Sequence, residues 1–241
     1  MAGKFLIYGA TGGVGACLSR QLAAAGHPLH LVARDAGRLQ ALALELDATW
    51  TAADVLEPDA FARVMAETGP ELCGLVYAVG SINLKPLARL TPADLDRDFR
   101  LNAAGAALAV QAAMPALRAG PERAAVVLFS SVAASLGFAL HASVGMAKAA
   151  VEGLTRALAA ELAPSIRVNA IALSLTDTPL ARGITANPRL RESVAAMHPL
   201  GRLGKPDDAA QLAAFLLSAH ADWITGQVFG ADGGRSTLAS R

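Results

Sequence analysis

Short apolar runs alternate along the chain with longer stretches in which apolar residues return every three or four positions. The runs are KFLIY (4–8), LHLVA (29–33), LCGLVYAVG (72–80), AAVVLFS (124–130), SIRVNAIAL (165–173) and GQVFGA (226–231), with a weaker one in ATWTAAD (48–54). Most lack polar alternation, the mark of strands buried on both faces. Helical periodicity fills the gaps: from the glycines after residue 8 to about Gly26, then 38–46, 59–69, a long helix from about Pro92, another around 141–162, and 207–219. Thr91, Pro92 and Asp94 supply a cap, a first-turn proline and an N-terminal acid. Repeated strand–helix–strand units with right-handed crossovers build a parallel sheet covered on both faces. No linker, repeat or low-complexity tract divides the 241 residues, so one domain, 1–241, is expected.

Composition narrows the class. Hydrophobic residues are 54% and charged ones 17%, more apolar than an average soluble domain, which predicts a large core and a buried subunit interface. Net charge is +1, with no basic stripe or acidic tail, arguing against nucleic acid and anionic membranes as partners. The start, MAGKFLIYGA, lacks the apolar run of a secretory leader. The near-apolar stretch from Leu101 to Leu117 contains Asn102 and Gln111 and reads as a buried helix, not a membrane span. Cys17 and Cys73 lie on different elements and read as reduced core thiols of a cytoplasmic protein, with no metal site.

Chemistry enters at the first strand–helix junction. In LIYGATGGVGACLSRQL, Gly9, Gly13 and Gly15 follow a strand and open a helix, with Thr11 and Val14 in the same loop. Missing side chains let backbone approach a pyrophosphate at a helix N-terminus. The second strand ends in VARD. An acid at its tip would bind the ribose hydroxyls of NAD, whereas Ala33 followed by Arg34 favours the extra phosphate of NADP. Asp54, followed by Val55, could hydrogen-bond the adenine or cap the next helix.

These and later motifs resemble the short-chain dehydrogenase/reductase family along essentially the whole chain. They are YGATGGVG (8–15), ADV (53–55), LVYAVG (75–80), RLNAAG (100–105), LFSSVAA (128–134), MAKAAVEGLTRALAAEL (146–162), IRVNAIA (166–172), PLGRLGKPDDAAQLAAFLLS (199–218) and ITGQVFGADGG (224–234). The resemblance implies a single-domain α/β Rossmann fold, a doubly wound seven-stranded parallel sheet flanked by helices. It also implies a nicotinamide cofactor and a homodimer or homotetramer. In that family a serine polarises the substrate carbonyl and a tyrosine gives a proton. A lysine four residues later binds the nicotinamide ribose and lowers the tyrosine pKa, and an asparagine organises a water relay. Asn102 and Lys148 match the asparagine and the lysine. Ser131, thirteen residues before the tyrosine position, matches the serine better than its neighbour Ser130. The tyrosine position holds Val144, and neither Tyr8 nor Tyr77 is an obvious substitute. The family's Asn-Asn-Ala-Gly is Tyr77-Ala78-Val79-Gly80, and its Pro-Gly after the sixth strand is Leu173-Ser174. Ala78, Gly80, Leu175 and Thr178 still stand at cofactor-wall positions.

The missing tyrosine leaves three readings. One is reduction of an activated C=C bond in an enoyl-type small-molecule substrate, thioester-linked substrates included. Enoyl-thioester reductases place their tyrosine seven positions before the lysine, where this chain has His141, and dienoyl-thioester reductases also lack the usual tyrosine. The resulting enolate is less basic than an alkoxide, and an imidazole titrates near neutral pH. The second is reduction of a C=O or C=N group with relaxed proton delivery. The third is an NADP(H)-binding sensor, scaffold or partner subunit without turnover. The remaining histidines, 27, 30, 198 and 220, are expected to be structural or on the surface.

Residues 176–205 resemble the family's lid over the substrate. Leu180, Ile184 and Met197 suggest an apolar wall, and Arg182, Arg189 and Arg191 could meet an anionic carrier. In 146–162, Val151, Leu154, Leu158 and Leu162 form a stripe, with Glu152 and Arg156 paired outside it. This helix and the alanine-rich 103–113 resemble the family's dimer interface.

Overall fold

A computed structural model describes residues 3–238. The order is β1 (Lys4–Tyr8), α1 (Gly13–Ala24), β2 (Leu29–Ala33), α2 (Ala36–Glu45), β3 (Thr49–Ala52), α3 (Ala60–Thr68) and β4 (Leu72–Tyr77). Then come α4 (Pro92–Phe99), a π turn (Arg100–Ala104), α5 (Gly105–Ala119), β5 (Ala124–Ser131), α6 (Ala142–Leu162) and β6 (Ile166–Leu173). Two short helices, α7 (Arg182–Thr185) and α8 (Pro188–Ala196), precede α9 (Pro206–Leu217) and β7 (Val228–Ala231).

All seven strands pair in parallel in the order β3-β2-β1-β4-β5-β6-β7. Successive strand residues point to opposite faces. In β1, Leu6 and Tyr8 enter one core with α3, α5 and α6, while Phe5 and Ile7 enter a second with α1, α2 and α9. Both faces are therefore covered, which is why the strands read as continuous apolar runs. The chain order reverses between β1 and β4, opening a crevice at the strands' C-terminal ends.

Several expected details change. β4 stops at Tyr77, paired with Tyr8, because β1 turns away at Gly9 with φ +78°. β7 starts at Val228, because Gly226 turns with φ +72° and gives its N–H to the Val168 carbonyl. The long helix from Pro92 carries the π turn at Asn102. Its later part, read as buried, leaves Leu108 and Gln111 exposed. Among the described residues no helix is long and apolar enough to cross a membrane. Cys17 and Cys73 are free but only partly buried, at the margin of the second core. Glu152 does not pair with Arg156: it turns inward and accepts from the Ser130 hydroxyl at 2.9 Å.

Candidate active site

The crevice is a cavity of about 690 Å³, within the range of small-molecule and cofactor sites. One end lies against the glycine loop. Gly9 holds a left-handed φ, and a side chain there would strike the Ala78 carbonyl at 2.6 Å. At Gly15 a Cβ would stand 2.2 Å from the Gly9 carbonyl oxygen, so the first turn of α1 closes only on glycine. Thr11, Gly13, Val14, Ala78, Gly80, Leu175 and Thr178 line the same cavity. The backbone cradle that a pyrophosphate requires is thus present, and its geometry fits the expected dinucleotide.

At the tip of β2 the Arg34 side chain is 70% exposed and lines the cavity. Arg38 also lines it and donates to the Thr11 carbonyl at 2.9 Å. Asp35, the acid nearest that tip, is occupied as the cap of α2, accepting from the Arg38 backbone N–H at 3.0 Å. Asp54 accepts from the Leu56 N–H at 3.0 Å and lies 3.9 Å from Arg34. The wall itself comes from its neighbours Ala53 and Val55. Arg38 went unnoticed in the sequence because it sits a full helical turn past the strand tip.

At the other end, β5 and α6 bring Ser131, Val144 and Lys148 to the cavity wall. Val144 is buried. Ser131 accepts from the Ala133 N–H at 3.1 Å, and among the described residues its own hydrogen has no acceptor. It is therefore free to donate into the cavity. The Lys148 ammonium donates to the Phe129 carbonyl at 2.9 Å, and burial lowers its pKa to about 8. Ser130 also lines the cavity, but its hydroxyl is taken up by the Glu152 carboxylate at 2.9 Å and the Lys148 carbonyl at 3.2 Å.

Asn102 lies in the π turn and is 1% exposed. Its amide donates to the Asp98 carbonyl at 2.8 Å and to the Ser81 hydroxyl at 3.0 Å, while its Oδ1 has no partner. A Cβ on Gly80 would stand 3.0 Å from that Oδ1 and 3.2 Å from Lys148 Nζ, so a side chain there would crowd both groups. Beneath, the buried Asp98 carboxylate accepts from Ser81 (2.7 Å), Asn83 (3.0 Å) and Ser143 (2.6 Å), fastening α4 to the start of α6. Tyr77 donates to the Leu101 carbonyl at 2.8 Å and does not reach the cavity. Tyr8 is fully buried beside Tyr77 and Phe61, and burial raises its pKa far above the usual phenol value.

His141 stands at the N-cap position of α6 without a side-chain capping bond, and it lines the same cavity as Lys148. Its Nδ1 lies 2.7 Å from the Ala139 carbonyl oxygen. A carbonyl only accepts, so Nδ1 carries the hydrogen and a neutral ring offers Nε2 as an acceptor. Only the protonated ring donates from Nε2.

His198, expected to be structural or superficial, is buried and lines the cavity too. Its Nδ1 bonds the Val194 carbonyl (2.8 Å), leaving Nε2 to accept from the Ser174 hydroxyl at 2.7 Å. Leu180, Ile184 and Met197 form part of the wall, as anticipated. Arg182, Arg189 and Arg191 do not reach it: Arg191 pairs with Asp177 at 2.6 Å, and Arg182 and Arg189 are exposed. Among the described residues a guanidinium lining this end comes instead from Arg235, in the segment after β7.

Comparisons with known proteins agree with this architecture. The protein-family model described as Enoyl-(Acyl carrier protein) reductase matches residues 9–236. The chain is 33% identical over 250 residues to the cis-4-hydroxycyclohexanecarboxylate dehydrogenase of Sinomonas cyclohexanicum, covering 97% of this chain and 96% of that one. It is 35% identical to the inactive 2-(S)-hydroxypropyl-CoM dehydrogenase 2 of Xanthobacter autotrophicus, covering 92% and 100%. A short-chain type dehydrogenase/reductase structure from Mycobacterium ulcerans superposes with a TM-score of 0.88 at 32% identity, over 97% of this chain and 89% of that one.

Proposed function

The chain belongs to the short-chain dehydrogenase/reductase family, and on that footing we propose that it is an NADPH-dependent reductase acting without the usual tyrosine. Its substrate is a small molecule carrying an activated C=C bond or a C=O or C=N group. The observation carrying this reading is that Ser131 and Lys148 line one cavity, with Val144 buried between them where the usual tyrosine would stand. A reduced nicotinamide, when bound, supplies hydride. Ser131, accepting from Ala133 and free to donate, hydrogen-bonds the substrate oxygen on which negative charge develops. Lys148, tied to Phe129 through one N–H, keeps two for the ribose. Asn102, through its unpartnered Oδ1, holds a water near Gly80. An enolate left by hydride addition to C=C needs no phenol, and takes its proton from water or from His141 in its protonated form.

Arg34 and Arg38 support NADPH over NADH, because both guanidinium groups lie at the end of the cavity expected to hold the ribose phosphate. Residues 176–205 serve as the lid. A second reading, a cofactor-binding sensor or partner subunit, is favoured by Val144 together with a relative named as inactive.

Titration with NADPH and NADH followed by cofactor fluorescence, then a panel of enoyl thioesters, ketones and imines, tests the proposal. Tighter NADPH binding with turnover of at least one class is expected. Tight binding with no turnover across the panel transfers the case to the second reading, and no binding of either cofactor ends both.

A further inference from the structure

The substrate end of the cavity is walled mainly by apolar side chains, among them Phe138, Leu180, Ile184 and Met197. Into it reaches one guanidinium. Arg235 donates through Nη1 to the Met197 carbonyl at 2.9 Å and through Nη2 to the Met197 sulfur at 3.4 Å, and lies 5.7 Å from the Phe138 ring centroid. Among the described residues it has no carboxylate partner, unlike Arg191, Arg202 and Arg34. A guanidinium has five donors in a planar fork, and a thioether is a poor acceptor, so much of the fork is uncommitted.

The arginine is held in place. Buried Asp232 accepts from the Gly234 N–H (2.9 Å), the Ser236 N–H (3.0 Å) and the Ser236 hydroxyl, while its carbonyl accepts from the Arg235 N–H at 3.2 Å. Gly233 and Gly234 take left-handed φ values of +62° and +85° within this turn. The backbone of Arg235 is thereby fixed, and Phe138 and Met197 fix its side chain. A rigid, unneutralised fork at the end of an apolar cavity is complementary to a planar anion on an apolar body.

We propose that Arg235 is a specificity-determining residue that binds a carboxylate of the substrate, so that the preferred substrates are apolar carboxylic acids. This rests on the oxidoreductase reading for its meaning in turnover, but binding tests it separately. The experiment measures calorimetric affinities of cyclohexanecarboxylate, benzoate and hexanoate, each beside its carboxamide, with and without NADPH. The variants are Arg235→Gln and Arg235→Lys. Wild type is expected to favour at least one carboxylate over its carboxamide by about tenfold to a hundredfold, the worth of a charge-assisted hydrogen bond. Arg235→Gln should erase that preference while still binding the carboxamide, which reports an intact cavity, and Arg235→Lys should keep part of it. Equal binding of each pair, binding of none, or a preference that survives Arg235→Gln overturns the proposal. Failure of NADPH to bind or of any substrate to turn over would count against the oxidoreductase reading, and leaves the carboxylate-to-carboxamide ratio readable.

Discussion

Two side chains a helical turn apart carry opposite burdens. Val144 is an apolar residue in an apolar wall and costs nothing to bury, whereas Lys148 is a cation taken almost wholly out of water. The depressed lysine pKa fixes the sign of a stability effect. Below about 8 the ammonium is charged in both folded and unfolded chains, so the burial penalty is fully present. It is relieved as pH rises from about 8 toward 10.5, where the unfolded chain holds more protons than the folded one. The gain over that window is about 3 kcal/mol. Lys148→Met should therefore stabilise the cofactor-free protein at pH 7 and flatten this rise, as urea denaturation between pH 7 and 10 will record. At Val144 the converse substitution is informative: Val144→Tyr should gain ketone reduction by at least about tenfold, equivalent to about 1.4 kcal/mol of barrier. A variant that folds and binds NADPH yet gains nothing would mean that Ser131 or Asn102 is misplaced.

Among the elements, the strands and helices read from periodicity are present, with shifted ends at β4 and β7, because strands buried on both faces and one-sided helices leave strong patterns. β1, β2 and the glycine loop were legible for this reason, as was the position of Ser131, Val144 and Lys148 around one cavity. What was hidden depends on contacts between distant segments. Glu152 looked like a surface partner of Arg156 until the fold brought Ser130 to it. His198 and Arg235 gave no local signal, since each meets the cavity only after α8 and the segment following β7 converge. His198 also joins the end of α8 to the end of β6 through Ser174. His198→Ala removes that tie, and the expected outcome is a several-fold rise in substrate KM with a smaller change in kcat. An equal fall in kcat and kcat/KM would place His198 in the chemical step instead.

For the whole molecule, the two cores on either side of the sheet account for the high apolar fraction only in part. Leu108 on α5 and Met146 on α6 remain about half exposed, as does Phe99 on α4. A homodimer or homotetramer burying this side is the arrangement we infer. Sedimentation at micromolar concentration should give a dimer or tetramer, and Leu108→Glu with Met146→Glu should shift it toward monomer. A wild-type monomer would refute the inferred arrangement.

The π turn at Arg100–Ala104 has a consequence for how this chain can be edited. It holds one residue more than an α-helix would need, so α4 and α5 are out of phase with each other. Removing a single residue such as Ala103 would restore regular winding and rotate one half against the other by about 100°. With α5 locked in the core, Asp98 would swing off Ser143 and Asn102 off Ser81. The length of this segment is fixed: a one-residue deletion here would dismantle the floor of the cavity.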